Sequence, residues 1–242
     1  MDTELAMKTL RHWINESENI VFFGGAGVST ESGIPDFRGT DGLYNQEYKY
    51  PPETIVSRNF YVNNLHEFYS FYRNKMLFPD AKPNAAHLEL ARLEKIGKLK
   101  AVITQNIDGL HQMAGSENVY EIHGSVHRNY CLRCHTCFDA SYILSFDGPP
   151  SCSECGGLVK PDVVLYGESL DQDTINASIE AIEKCDILIV GGTSLTVYPA
   201  NGFINYYKGD KLVLINKTPT EYDDIADLLI HDSIGKALTY GL

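Results

Sequence analysis

One pattern constrains this chain more than any other: short apolar runs, each ending in glycine or polar residues, with helical stretches between them. Asp186-Ile-Leu-Ile-Val190 runs into Gly191-Gly192-Thr193-Ser194, and Asn19-Ile-Val-Phe-Phe23 runs into Gly24-Gly25-Ala26-Gly27. Lys100-Ala-Val-Ile-Thr104 is followed by Gln105-Asn106-Ile107-Asp108-Gly109. The run from Asn118 to Ile122 leads to His123-Gly124, that from Asp162 to Tyr166 to Gly167-Glu168, and that from Lys211 to Ile215 to Asn216-Lys217. Apolar runs without polar alternation read as strands covered on both faces. Helices are predicted over Thr3–Glu16, from a capping Asn84, over Thr174–Lys184, ahead of Lys211 and over Tyr222–Ile230. The alternation predicts an α/β fold built on a doubly wound, parallel, Rossmann-like sheet.

Two segments break the alternation. Residues 40–83 include Asn64 to Leu77, with apolar residues at helical spacing, and residues 127–160 carry two Cys-x-x-Cys pairs. Both can project from one edge of the sheet and form a second, smaller domain of helical and zinc-ribbon character. The predicted division is residues 1–39, 84–126 and 161–242 for the Rossmann-like domain, and 40–83 with 127–160 for the small one. A length of 242 residues with 43% hydrophobic content suffices for one sizeable core and an appended module.

Cys131-Leu-Arg-Cys134 and Cys152-Ser-Glu-Cys155 are separated by residues 135–151, a zinc-ribbon spacing. Two such knuckles can close a tetrahedral site of four thiolates, with no open position for a substrate. The competing reading is a pair of disulfides, which a chain without an export signal disfavours. His135 and Cys137 stand close enough to be rival ligands and are expected beside the site or exposed. Cys185 is expected in the core.

A net charge of -12 and a pI near 5.0 argue against non-specific nucleic-acid binding. The N-terminus reads as a mixed polar helix rather than a signal peptide. No apolar run approaches the roughly 20 residues that span a bilayer. The expectation is a cytoplasmic protein with neither membrane nor direct nucleic-acid partners; the oligomeric state stays open.

In an open parallel sheet, ligands collect at the carboxyl ends of the strands. Here those ends gather glycines, amides, hydroxyls and His123, as a nucleotide cleft with a reaction site would. Each piece also has a plainer reading. Gly25-x-Gly27 can be a tight turn, and TQNIDG a turn with an aspartate cap. His123 can be a satisfied core histidine, and Asp36 with Arg38 a loop ion pair. The glycine spacing is also incomplete for an ordinary dinucleotide loop. Thr30 stands where a third glycine belongs, and Pro35, Asp36, Phe37 and Arg38 follow.

Taken in order, GAGVSTESGIPDFRG, TQNIDGLH, His123-Gly124, the paired Cys-x-x-Cys set, YGE and GTSLTVYPA resemble the sirtuin family, the NAD-dependent protein lysine deacylases, from about Asn19 to Ile234. The resemblance implies that NAD is a consumed co-substrate and that one structural zinc ion is held by the four cysteines. It implies that the loop from Ala26 through Thr30 to Gly39 cradles the pyrophosphate and covers the nicotinamide ribose. Phe37 would shield the reacting C1′ carbon, and Arg38 would lie near the phosphates and ribose. Ile107 and Asp108 would hold the nicotinamide carboxamide. Gln105 and Asn106 would orient the ribose and a water, and Thr193, Ser194 and Asn216 would bind the adenosine half. Ile234 completes the implied cofactor set. The acyl oxygen of a modified lysine would attack C1′, with His123 as general base on a ribose hydroxyl and Asn106 beside it. The products would be free lysine, nicotinamide and O-acyl-ADP-ribose.

The same resemblance places the substrate peptide as an added strand between Gly167-Glu168 and Leu195–Val197, with Val164, Tyr166 and Val197 lining the lysine tunnel. Tyr166 departs from the family's usual phenylalanine. Sirtuins that prefer succinyl or malonyl lysine carry a Tyr-x-x-Arg pair; here Tyr69 is followed by Tyr72 at that spacing and Arg73 one step on, a rotation of about 100°. The expected substrate is therefore acetyl-lysine, or another uncharged acyl-lysine, in proteins or peptides. Plain helix packing is the alternative for Tyr69 and Tyr72. Mono-ADP-ribosyl transfer in the same cleft, deacylation of longer uncharged chains and non-catalytic NAD sensing are the rival functions.

Overall fold

The computed structural model describes residues 2–37, 42 and 49–241. Arg38, expected near the phosphates, lies outside the described residues. Within them the strands are β1 (Ile20–Gly24), β2 (Leu99–Thr104), β3 (Val119–Glu121), β4 (Gly124–Cys131), β5 (Cys137–Phe138), β6 (Val159–Val163), β7 (Ile187–Gly191), β8 (Leu212–Ile215) and β9 (Leu228–Ile230). Six of them form one sheet in the order β3-β2-β1-β7-β8-β9. Every pairing in it is parallel. Counted along the chain this is the 3-2-1-4-5-6 arrangement of dinucleotide-binding folds.

β1, β7 and β8 are buried at every residue, as their unbroken apolar sequences require. Successive side chains then serve opposite cores. Phe22 packs under α1 (Thr3–Glu16) with Leu10 and Ile14, and Phe23 packs on the other face with Ile182 and Phe203. α1 has the bounds predicted, because Ala6, Met7, Leu10 and Ile14 form one buried stripe.

A second sheet, in the order β5-β4-β6, is antiparallel. With α2 (Pro52–Ile55), α3 (Arg58–Asn63) and α4 (Leu65–Lys75) it encloses a separate core of Phe60, Phe68, Tyr69, Tyr72, Ile143 and Val159. Further along are α5 (Ala85–Lys95), α6 (Leu110–Ala114), α7 (Ala140–Leu144), α8 (Gln172–Lys184) and α9 (Ile234–Thr239). No described helix is long and apolar enough to cross a membrane.

Three sequence expectations are corrected. The run from Asp162 to Tyr166 is not a strand of the parallel sheet: β6 starts at Val159 and pairs with β4. The helix expected over Tyr222–Ile230 is a short 3₁₀ turn followed by β9. Three residues are too few for a period of two to be told from a period of 3.6, and the choice falls to pairing with β8. The helix ahead of Lys211 is a 3₁₀ stretch, Ala200–Tyr206.

Candidate active site and metal centre

β1 lies between β2 and β7, so the chain order reverses at its carboxyl end, and the glycine loop sits there. Gly25 N donates to Gly191 O at 3.1 Å and Gly27 N to Gly192 O at 2.8 Å. A Cβ on Gly27 would stand 2.7 Å from Gly192 Cα. One on Gly192, which has φ +62°, would stand 2.4 Å from Val28 N. Only two glycines let the loops after β1 and β7 meet backbone to backbone, and that contact shapes the shelf holding Ala26 and Thr30. Thr30 Oγ1 donates to Gly27 O at 3.0 Å, closing the turn.

The residues after β2 reach in two directions. Gln105 Nε2 donates to Thr193 Oγ1 at 2.9 Å, and Thr193 N donates to Asn216 Oδ1 at 3.1 Å. This chain joins the ends of β2, β7 and β8. Asn216 Nδ2 is buried with no partner, a donor that suits a ligand acceptor. In the other direction Asn106 Nδ2 donates to Ser29 Oγ at 3.0 Å, and Ser29 Oγ donates to Asp108 Oδ2 at 2.7 Å. Leu110 N donates to Asp108 Oδ1 at 2.9 Å, so Asp108 also starts α6. Ser29, 1% exposed, is a positioning residue that the sequence reading did not single out. Its signal was its place in the glycine loop, but its partners are set only by the fold.

His123 follows β3. Its Nδ1 lies 3.0 Å from Gln105 O. A carbonyl only accepts, so Nδ1 carries the proton and Nε2 keeps its lone pair. Burial pushes the imidazole below its ordinary value of 6.5, while the bond to Gln105 O acts in the opposite sense. The ring is therefore neutral at neutral pH, as a base must be.

Phe37 and Ile107 are half-buried, and Ile107 O accepts from Val126 N at 2.9 Å. Ser194 is exposed, its hydroxyl 2.8 Å from that of Thr196. Ile234 opens α9, buried against the end of β7. Val164 N donates to His123 O at 3.0 Å, which ties that segment to the histidine. Tyr166 is clamped by the turn from α2 into α3, its N donating to Val56 O at 3.0 Å and its O accepting from Arg58 N at 2.9 Å. The Glu168 carboxylate turns back to Leu165 N at 2.9 Å. Gly167 and Val197 leave backbone groups open: among the described residues no hydrogen bond involves Gly167, and Val197 accepts only from Asn201 N.

The four cysteines converge, with all Sγ atoms within 4.8 Å of one another. Cys131 and Cys155 are 3.4 Å apart, Cys134 and Cys152 3.6 Å, and Cys134 and Cys155 3.4 Å. These distances far exceed a disulfide bond of about 2.05 Å. They lie near the roughly 3.8 Å edge of a tetrahedron with zinc–sulfur bonds of about 2.3 Å. Cys131, Cys134, Cys152 and Cys155 thus fit a closed structural zinc site. His135 and Cys137 are exposed and outside the cluster, and Cys185 is buried, each as expected.

Tyr69 and Tyr72 are both fully buried. The Tyr69 hydroxyl donates to Val159 O, and Arg73 donates to Gly148 O at 2.9 Å and to Asp147 O. The helix-packing reading holds for both tyrosines.

Fold and rim together define a dinucleotide-binding enzyme with a neutral imidazole beside its cleft. The Sir2 family pattern matches residues 25–199. The NAD-dependent protein deacetylase of Clostridium acetobutylicum is 60% identical over 232 residues, covering 95% of each chain. That of Clostridium tetani is 57% identical over 241 residues, covering 98% of this chain and 96% of its own. A structure described under the mechanism and regulation of Sir2 enzymes superposes with a TM-score of 0.87 at 42% identity, over 97% of this chain and 95% of that one. A Sir2 structure with p53 peptide and NAD+ gives 0.83 at 40%, over 96% and 95%. The chain belongs to the Sir2 family.

Proposed function

We propose that this protein is an NAD-dependent protein lysine deacetylase that transfers the acetyl group to ADP-ribose and releases nicotinamide. The observation that carries the reading is His123, neutral and fixed in one tautomer by Gln105 O, beside a glycine shelf where Gly27 and Gly192 meet. NAD supplies an electrophilic ribose carbon when bound. The residues around it would bind, orient and exclude water. Ala26 and Thr30 would face the pyrophosphate, and Phe37 would cover the reacting carbon. Arg38 would stand near the phosphates. Gln105 and Asn106 would fix the ribose, Ile107 and Asp108 the carboxamide, and Thr193, Ser194, Asn216 and Ile234 the adenosine half. His123 Nε2 would take a ribose hydroxyl proton. Cys131, Cys134, Cys152 and Cys155 would hold zinc and shape the small sheet, away from the chemistry.

The peptide would pair along Gly167-Glu168 and Leu195–Val197, and the open backbone of Gly167 supports strand addition. Val164, Tyr166 and Val197 would enclose the lysine. The buried Tyr69 and Tyr72 favour an uncharged acyl group, because neither is presented to a carboxylate. The chain divides, on this reading, into the dinucleotide domain of residues 1–39, 84–126 and 161–242 and a small domain of 40–83 and 127–160. Reduced cysteines set for a metal suit a cytoplasmic setting, and the -12 charge disfavours nucleic acid as a partner.

The test is mass spectrometry of an acetyl-lysine peptide with NAD, for wild type and His123→Ala. Equal yields of deacetylated peptide and acetyl-ADP-ribose are expected, with a loss of about 10²-fold or more in the variant. NAD consumed while the peptide keeps its acetyl group would replace the reading with ADP-ribosyl transfer or NAD hydrolysis.

A further inference from the structure

Beside the open backbone at Gly167 lies a groove of about 550 Å³ whose charged lining is Arg58, Lys160, Asp162, Glu168 and Asp171. Four of these side chains are engaged. Glu168 accepts from Lys160 Nζ at 3.1 Å and from Leu165 N at 2.9 Å. Lys160 Nζ also donates to Pro161 O at 3.2 Å and Val163 O at 3.1 Å. Asp162 accepts from Arg128 Nε at 2.8 Å. Asp171 accepts from Thr174 N at 2.8 Å and Thr174 Oγ1 at 2.7 Å, capping α8. The Arg58 guanidinium has no hydrogen bond or ion pair among the described residues.

Arg58 is nevertheless well placed. Its N–H is bonded to Tyr166 O, and Ser57 and Tyr166 form a parallel bridge. The exposed head group thus hangs from the segment zipped to the edge that ends at Gly167. It gains nothing from its own helix, because a cation at the first position of α3 faces the positive end of the dipole. A guanidinium with all its donors free matches a carboxylate bidentately. The acids around it are already satisfied by other partners.

We propose that Arg58 is a specificity-determining residue that selects an acidic side chain flanking the acyl-lysine of the substrate peptide. The proposal rests on the deacetylase reading and on peptide pairing along Gly167. An extended peptide turns successive side chains to opposite sides at about 3.3 Å per residue. The preference therefore falls on one flanking position and skips the adjacent ones.

The experiment measures kcat/KM on acetyl-lysine peptides with alanine flanks. Glu, then Lys, is placed singly at each of the nearest flanking positions, for wild type, Arg58→Ala and Arg58→Glu. At one position the wild type should favour Glu over Ala about two- to fivefold, mainly through KM, and disfavour Lys. That ratio should fall to about one in Arg58→Ala and invert in Arg58→Glu. Ratios within each variant cancel any general loss of activity, and the preference should fade with added salt. The same Glu preference in Arg58→Ala, or no positional preference in wild type, overturns the proposal. A wild type that deacetylates none of the peptides overturns the deacetylase reading itself, a different failure.

Discussion

At the residue scale, burial and hydrogen bonding assign opposite fates to side chains that look alike in sequence. His123 is held below 6.5 by burial. On the proposed reading its neutral form is the active one, so activity is complete well above the folded value and lost as pH falls through it. The acid limb of kcat/KM should therefore have its midpoint below 6.5; a midpoint above it would remove His123 as the base. Tyr69 and Tyr72 make a second contrast. The Tyr69 hydroxyl satisfies Val159 O, whereas the Tyr72 hydroxyl is buried without a partner. In urea titrations Tyr69→Phe should cost about 1–2 kcal/mol, and Tyr72→Phe should be neutral or stabilising. Equal losses would mean that the hydroxyl bond contributes nothing. The sequence announced His123 as a residue at a strand end, but not its tautomer, which depends on a carbonyl of another loop.

At the element scale, the glycine shelf is a contact between two loops rather than a property of one. Gly27→Ala would push a methyl group into Gly192, and backbone cannot yield as a side-chain tip can. NAD affinity should weaken about 5- to 150-fold, a strain cost of about 1–3 kcal/mol read out by calorimetric titration. Unchanged affinity would place the nucleotide elsewhere. Apolar run and glycine made β1 and β7 legible, and two Cys-x-x-Cys pairs made the cysteine cluster legible. β6 and β9 were not, for different reasons. Residues 162–166 read as a strand of the parallel sheet, whereas the residues that pair with β4, Val159-Lys160-Pro161-Asp162-Val163, alternate in burial and show no apolar run. β9 is too short to display a period, and its acidic approach at Asp223 and Asp224 mimics a helix start. Ser29 shows the same limit at the site: its two partners lie 77 and 79 residues away along the chain.

At the scale of the whole molecule, the two sheets meet where β3 passes into β4. β4 begins immediately after His123 and ends at Cys131, so the imidazole and the cysteine cluster sit at opposite ends of one strand. Arg128 on β4 bridges Glu121 of the large sheet at 2.6 Å and Asp162 of the small one at 2.8 Å. Stripping zinc with a strong chelator should abolish deacetylation and lower the thermal midpoint. NAD binding, which on the proposed reading rests on the ends of β1, β7 and β8, should survive in part. Full activity after complete metal removal, verified by elemental analysis, would mean that the reaction does not need the metal-held small sheet. The meeting of Gly25 with Gly191 and of Gly27 with Gly192 also has a consequence in time. During synthesis the first half of the shelf leaves the ribosome long before its partner. At about 5–20 residues per second the delay is roughly ten to thirty seconds. In that interval the glycine loop has its contacts to Asn84, Asn106 and Asp108 but lacks the backbone of Gly191 and Gly192, and NAD can stabilise only the finished shelf. The shelf is thus among the last parts of the nascent protein to be completed, and a ligand that needs it can bind only the nearly finished chain.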